Sequence, residues 1–195
     1  MKRYTIFAGI NGAGKSTLYQ EEYKPLNDEK RINTDEMVKT LGSWQDDNLQ
    51  MKCARVAVKL IREYFNGGIS FNQETTLSGR SIVNNIKKAK KLGYEVHLYY
   101  VGVDSVEIAL DRIKKRVAIG GHGIPEHDVR RRYKNSFENF GEILPFCDVV
   151  VIHDNTKIMD IVAKFVDGNL VYKSKKIPNW ITSNEEFNDL VEYYF

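Results

Sequence analysis

The residues whose types and spacing best fit a chemical task form one unbroken run, Gly9-Ile10-Asn11-Gly12-Ala13-Gly14-Lys15-Ser16, followed by Thr17. The run matches G-x-x-x-x-G-K-[ST] at every fixed position. Glycines at these places let a backbone curl so that successive N–H groups face phosphate oxygens, and a helix starting near Lys15 adds the positive end of its dipole. On this reading Gly9, Asn11, Gly12, Ala13 and Gly14 cradle ATP, and Lys15 reaches its outer phosphates. Ser16, with Thr17 beside it, offers a hydroxyl to Mg²⁺.

Asn33-Thr34-Asp35-Glu36 ends a short apolar stretch. If that stretch is a strand of an open parallel sheet, its carboxyl end faces the ligand crevice. Asp35 then stands where a carboxylate accepts a hydroxyl proton or holds Mg²⁺ through water. The plainer alternative is that Thr34 or Asp35 caps a following turn. Gln73-Glu74-Thr75-Thr76 follows another strand-like stretch in the same way, so Glu74 is a candidate for holding metal-bound water or an acceptor hydroxyl, with Thr75 beside it for the acceptor; the plainer alternative for Glu74 is a solvated loop residue. Arg80 reads equally as an acceptor or phosphate ligand and as a surface charge at a helix start.

Five arginines flank the loop Gly120-Gly121-His122-Gly123-Ile124-Pro125: Arg112 and Arg116 before it, Arg130, Arg131 and Arg132 after it. A guanidinium fork suits the charge that spreads over phosphoryl oxygens in transfer. Arg116 and Arg132 are the two assigned to that task, the others being read mainly as solvated helix faces. His122 and His127 read as loop and capping residues. Asp154-Asn155 reads either as the adenine side of the crevice or as a simple strand-ending turn.

These residues need a frame, and the apolar pattern supplies one. Strands are predicted at Tyr4–Ala8, around Ile32, at Ile69–Asn72, Glu95–Val103 and Val149–Ile152. Helices are predicted from near Lys15, over Met51–Phe65, Arg80–Leu92, Val106–Ile119 and Glu126–Phe140. Alternation of this kind implies a largely parallel sheet covered on both faces. Ile161–Val166 and Asn169–Lys173 flank Asp167-Gly168, a tight-hairpin signal.

At 195 residues the chain is sized for a single domain. Its 42% hydrophobic and 28% charged content belongs to an ordinary globular protein. A net charge of +3 is too weak to expect nucleic acid as the main partner. Cys53 and Cys147 stand far apart without metal spacing and are expected to be reduced. With no signal-like start and no bilayer-length apolar run, a cytoplasmic setting without a membrane is expected. A D-x-x-G switch and an N-K-x-D guanine reader are both missing from the sequence, which argues against a GTPase.

Taken together, GINGAGKST, INTDE, QETTLSGRS, RIKKRVAIGGHGIPEHDVRRRY and VVIHDN resemble the zeta-toxin family of P-loop kinases, in particular its short stand-alone bacterial branch. The resemblance runs over roughly residues 3–155. It implies a P-loop NTPase-type three-layer α/β sandwich with a five-stranded parallel core. An arginine-rich helical lid is expected at about 112–140 and a C-terminal hairpin at about 157–175. It further implies Mg·ATP as donor, a small acceptor's hydroxyl as target (UDP-N-acetylglucosamine in characterised members), and an antitoxin protein that blocks the nucleotide site. By motif position Lys15 takes the P-loop role, Asp35 that of base, Glu74 acceptor binding, and Arg116 with Arg132 the clamps on the transition state. The glycine-histidine loop and its adjacent arginines depart from the longer toxins. Two alternatives stay open: a regulatory ATPase without an acceptor, and a nucleic-acid-modifying kinase, the latter motivated by Lys87, Lys88, Lys90 and Lys91 near Arg80.

Overall fold

The apolar run after Lys2 forms β1 (Arg3–Ala8), in which Tyr4, Ile6, Phe7 and Ala8 are fully buried. The computed structural model describes residues 1–187 and residue 192. β1 is followed by α1 (Lys15–Glu21), β2 (Lys30–Ile32), α2 (Thr34–Leu41), α3 (Asp47–Gly67) and β3 (Phe71–Thr75). Next come α4 (Arg80–Lys91), β4 (Glu95–Gly102), α5 (Val106–Ala118) and α6 (Glu126–Ile143). β5 (Val149–Asp154), β6 (Asp160–Val166), β7 (Asn169–Lys173) and the short α7 (Asn179–Thr182) complete the order.

The strands make one sheet in the order β2-β3-β1-β4-β5-β6-β7. The first five are parallel and the last two antiparallel. Because side chains alternate along a strand, β1 feeds both faces. Tyr4, Ile6 and Ala8 join Leu98, Tyr100, Val150 and Ile152 against Ile61 and Phe65 of α3, Ile86 of α4 and Phe140 of α6. Phe7 and Val101 meet Leu18 of α1 and Ala109 and Ile113 of α5 on the other face. The result is the three-layer sandwich expected. Each fully buried Leu, Ile, Val or Phe among them contributes about 1.5–3 kcal/mol.

Three features depart from expectation. The hairpin at Asp167-Gly168 is not an appendage: β6 pairs with β5, so the sheet has seven strands rather than five. The third strand begins at Phe71, since Ile69 N–H donates to Tyr64 O and completes the end of α3 at Gly68, φ 63°. That shift puts Glu74 and Thr75 inside the strand end instead of beyond it. Finally, the chain beyond the hairpin returns to the core, with Trp180 stacked on Phe137 at 5.8 Å between ring centroids.

His153 on β5 is almost fully buried, and burial pushes its imidazole down to about 4. An unfolded chain binds that proton near pH 6.5, so stability falls as pH drops from about 6.5 towards 4, by up to about 3 kcal/mol. Urea unfolding at about pH 7 and about pH 4.5 reads this directly. The acid loss is expected to shrink in His153→Phe, and an equal loss in both proteins would remove His153 as its source.

Candidate active site

Between β1 and α1 the chain makes the turn that the glycine spacing requires. Gly9 has φ 134°, and a Cβ there would lie 2.3 Å from the carbonyl oxygen of Val101 on neighbouring β4. Gly14 has φ 108° and serves as N-cap of α1, where a Cβ would lie 2.3 Å from Asn155 Nδ2. Asn155 in turn donates to Ala13 O at 2.7 Å, and Arg112 donates to Asn155 O at 2.7 Å. The loop is therefore braced from the end of β5 and from α5. Gly9→Ala combines a left-handed backbone with a clash against backbone, so we expect about 3 kcal/mol or more of destabilisation in chemical unfolding. An unchanged midpoint would contradict this packing.

Lys15 is 7% exposed and donates to Ile10 O at 3.0 Å, closing the loop on itself. Burial lowers its pKa, an effect that Glu74 and Asp35 only partly offset. Ser16 Oγ donates to Glu74 Oε1 at 2.8 Å. The other carboxylate oxygen of Glu74 accepts from Asn33 Nδ2 at 2.8 Å and Arg31 Nη2 at 3.1 Å. Glu74 is thus fixed next to the P-loop hydroxyl.

Helix α2 is capped by Asn33, whose side chain accepts from the N–H groups of Asp35 and Glu36. Neither Thr34 nor Asp35 is used as the cap, and the Asp35 carboxylate, 42% exposed, opens on the crevice. Burial raises the Asp35 pKa, but His122, Lys15 and Arg116 together outweigh it and hold the carboxyl below its ordinary value.

The five arginines divide as their partners dictate. Arg130 pairs with Glu107 and Glu126 on exposed helix faces, and Arg131, which also lines one wall of the site, pairs with the partly buried Asp128. Arg112 is a brace. Arg132 Nη1 donates to Asn11 Oδ1 of the P-loop at 2.9 Å. Arg116 Nε donates to His122 O at 3.1 Å, while its buried Nη2 has no hydrogen-bond partner among the described residues. A buried guanidinium nitrogen without an acceptor is costly unless a ligand supplies one.

Two clefts meet at this point. One, of about 390 Å³, is lined by Gly12, Ser16 and Thr17 together with Arg116 and Asn155. The other, of about 430 Å³, is lined by Thr75, Thr76, Ser78 and Ser81 with Arg132 at its edge. Asn11, Lys15, Asp35 and Glu74 line both. Arg80 lines neither cleft: it is 66% exposed and paired with Glu142 of α6.

A sequence profile described as Zeta toxin matches residues 2–175. The chain belongs to the zeta toxin family. An "Uncharacterized protein" of Haemophilus influenzae is 38% identical over 128 residues, 66% of this chain and 90% of that protein. Among solved structures, a chain of the AvrRxo1-ORF1:-ORF2 complex, determined with ATP, is similar with a TM-score of 0.70 at 15% identity, covering 98% of this chain. The present chain spans 63% of that chain's length. The PezAT toxin-antitoxin system of Streptococcus pneumoniae is similar with a TM-score of 0.58 at 17% identity, over 91% of this chain and 73% of that one.

In this zeta toxin family member, structure adds residues that the sequence reading passed over. Arg31 lies 3.5 Å from the ring centroid of Tyr19 and bridges Glu36 and Glu74, so it sets the angle of the Glu74 carboxylate. His122, read as a loop residue, stands with Nε2 3.5 Å from Asp35 Oδ2. Asp154 accepts from Thr156 Oγ1 at 2.6 Å and Trp180 Nε1 at 2.9 Å, so it ties down the C-terminal segment; only Asn155 lies on the P-loop cleft. The lysine run on α4 is partly neutralised by the fold, Lys87 pairing with Glu142 at 2.6 Å and Lys90 with Asp148 at 2.5 Å. Cys53 and Cys147 are free and buried. Among the described residues no helix is long and apolar enough to cross a membrane.

Proposed function

We propose that the chain is a kinase that transfers the terminal phosphoryl group of ATP to a hydroxyl of a small acceptor, a UDP-sugar such as UDP-N-acetylglucosamine being the first candidate. The observation that carries this reading is the shared wall: Lys15, Asp35 and Glu74 line both the P-loop cleft and the hydroxyl-rich one. A donor in the first and an acceptor in the second would meet over Asp35. Membership of the family and a similar fold determined with ATP support the donor.

In this reading the loop from Gly9 to Thr17 holds the phosphates with its N–H groups, and Lys15 leaves Ile10 O to meet the outer phosphate oxygens. Asp35 accepts the proton of the acceptor hydroxyl as its oxygen attacks the terminal phosphorus. The phosphorus–oxygen bond to ADP breaks, and ADP leaves with the electron pair. The free Nη2 of Arg116 and the guanidinium of Arg132 neutralise charge gathering on the transferred group. Helices α5 and α6, with the 119–125 loop, act as the lid that carries them.

Ser16 Oγ and Glu74 Oε1, 2.8 Å apart, are the hard oxygen donors that fit Mg²⁺. Among the described residues no group of three or more His, Cys, Asp or Glu forms a cage. That suits an ion which keeps waters and takes phosphate oxygens. When bound, Mg²⁺ supplies positive charge to the phosphates.

By analogy with the ORF1:ORF2 and PezAT assemblies, an antitoxin-type protein is the partner we propose. The chain is further proposed to work as a single cytoplasmic domain. To test the activity, Mg·ATP is incubated with the protein and a metabolite extract containing UDP-sugars, and products are read by mass spectrometry. A new phosphorylated metabolite absent with Lys15→Ala is expected. ADP and free phosphate alone would favour an ATPase, and phosphate on added RNA or DNA ends would favour a nucleic-acid kinase.

A further inference from the structure

The 120–125 loop carries a residue whose surroundings go beyond those of a connecting segment. His122 is only 12% exposed although it lies in a glycine-rich loop. Its ring is stacked on Trp44, with 3.9 Å between centroids and 15° between planes. Its backbone oxygen accepts from Arg116 Nε at 3.1 Å, and its Nε2 sits 3.5 Å from Asp35 Oδ2. Among the described residues the buried Nε2 has no hydrogen-bond partner. At 3.5 Å the contact is electrostatic, and a shift of about half an ångström would make it a hydrogen bond.

The backing is itself fixed. Trp44 O accepts from Gln50 Nε2 at 2.7 Å, and Asp46 caps α3 by accepting from Leu49 N–H. A flat stack on a residue whose backbone is pinned holds the plane of the imidazole.

We propose that His122, held against Trp44, is a positioning residue for Asp35, orienting the carboxylate and linking its state to the placement of the lid loop. This rests on the reading of Asp35 as the proton acceptor. The link to the lid is physical, since the same residue holds Arg116 through its carbonyl. When the loop is in place, base and arginine are both in place; when it lifts, both are released.

Other charges face the pair and set the background: Lys15 from α1, Glu74 from β3, Arg116 from α5, and Asp128 and Arg132 from α6. Lys15 and Arg116 also favour the ionised carboxylate, so removal of His122 leaves part of the effect standing.

The deciding experiment follows the Asp35 carboxyl by carbon NMR during an acid titration of the nucleotide-free protein, the signal being assigned by its loss in Asp35→Asn. His122→Phe keeps the stack and removes the nitrogen; His122→Gln keeps a donor without the ring; Trp44→Leu removes the backing and leaves His122 in place. The Asp35 midpoint is expected to rise in His122→Phe and in Trp44→Leu, and less in His122→Gln. In turnover, His122→Phe is expected to lose about tenfold in kcat with the KM for ATP unchanged, and its acidic limb to move to higher pH. An Asp35 midpoint that stays put in both His122→Phe and Trp44→Leu would overturn the proposal. Should the parent show no Lys15-dependent transfer, the function proposed above fails instead, and the titration still decides the His122 contact.

Discussion

Lys15→Ala is expected to lower nucleotide turnover by about 10²–10³-fold, whatever the acceptor, because one preorganised cation then no longer meets the outer phosphates. The fold should survive. Lys15 opens α1, where alanine is at least as good a helix former, and its ammonium bonds to Ile10 O within its own loop. In the proposed role the buried ammonium is held for phosphate; burial lowers its pKa, and Glu74 and Asp35 only partly offset this. Unfolding curves that overlay the parent, together with the loss of turnover, separate the chemical role from a structural one. Turnover within a factor of about three of the parent would remove Lys15 from phosphate contact.

Asp35→Asn is expected to suppress transfer by about 10²–10⁴-fold while ATP affinity holds. The replacement is isosteric, and the cap of α2 is unaffected because Asn33 supplies it. The pH profile carries the same argument with a sign. His122, Lys15 and Arg116 hold the Asp35 carboxyl below its ordinary value in spite of burial. A base is competent above its pKa, so the parent should keep its activity through the ordinary carboxylate range and lose it only at more acid pH. Folding follows the same direction: the ionised carboxylate stabilises the native state above the unfolded pKa, and that contribution is lost as pH falls through the folded one. An Asn variant that keeps both the rate and the acidic limb would assign the proton to another group.

Residues that act through their own neighbours in sequence were legible from the start. The P-loop could be read because its glycines, lysine and serine are specified by local backbone geometry, and Gly9 and Gly14 take the positive φ that this geometry needs. Asp35 and Glu74 could be read because strand ends in a parallel sheet face one crevice. What stayed hidden depends on distant partners. Nothing near Arg80 in sequence announces Glu142, yet that is the pairing the guanidinium makes. Trp44 and His122 lie on different loops, and only the packed chain brings them together against Asp35. Likewise Trp180 occupies space left by Gly102, where a Cβ would lie 2.2 Å from the indole, a complementarity with no local signature. The antiparallel edge was half visible: Asp167-Gly168 announced the turn, but pairing to β5 follows from an exposed edge that periodicity does not display.

The most direct measurement is the fate of the terminal phosphoryl group, followed with γ-labelled ATP, Mg²⁺ and candidate hydroxyl acceptors in the parent, Lys15→Ala and Asp35→Asn proteins side by side. Transfer to an acceptor hydroxyl by the parent, loss of all label movement in Lys15→Ala, and loss of transfer with ATP still bound in Asp35→Asn are the predicted results. Label appearing only as inorganic phosphate, at the same rate in the parent and in Asp35→Asn, would contradict a kinase built around Asp35.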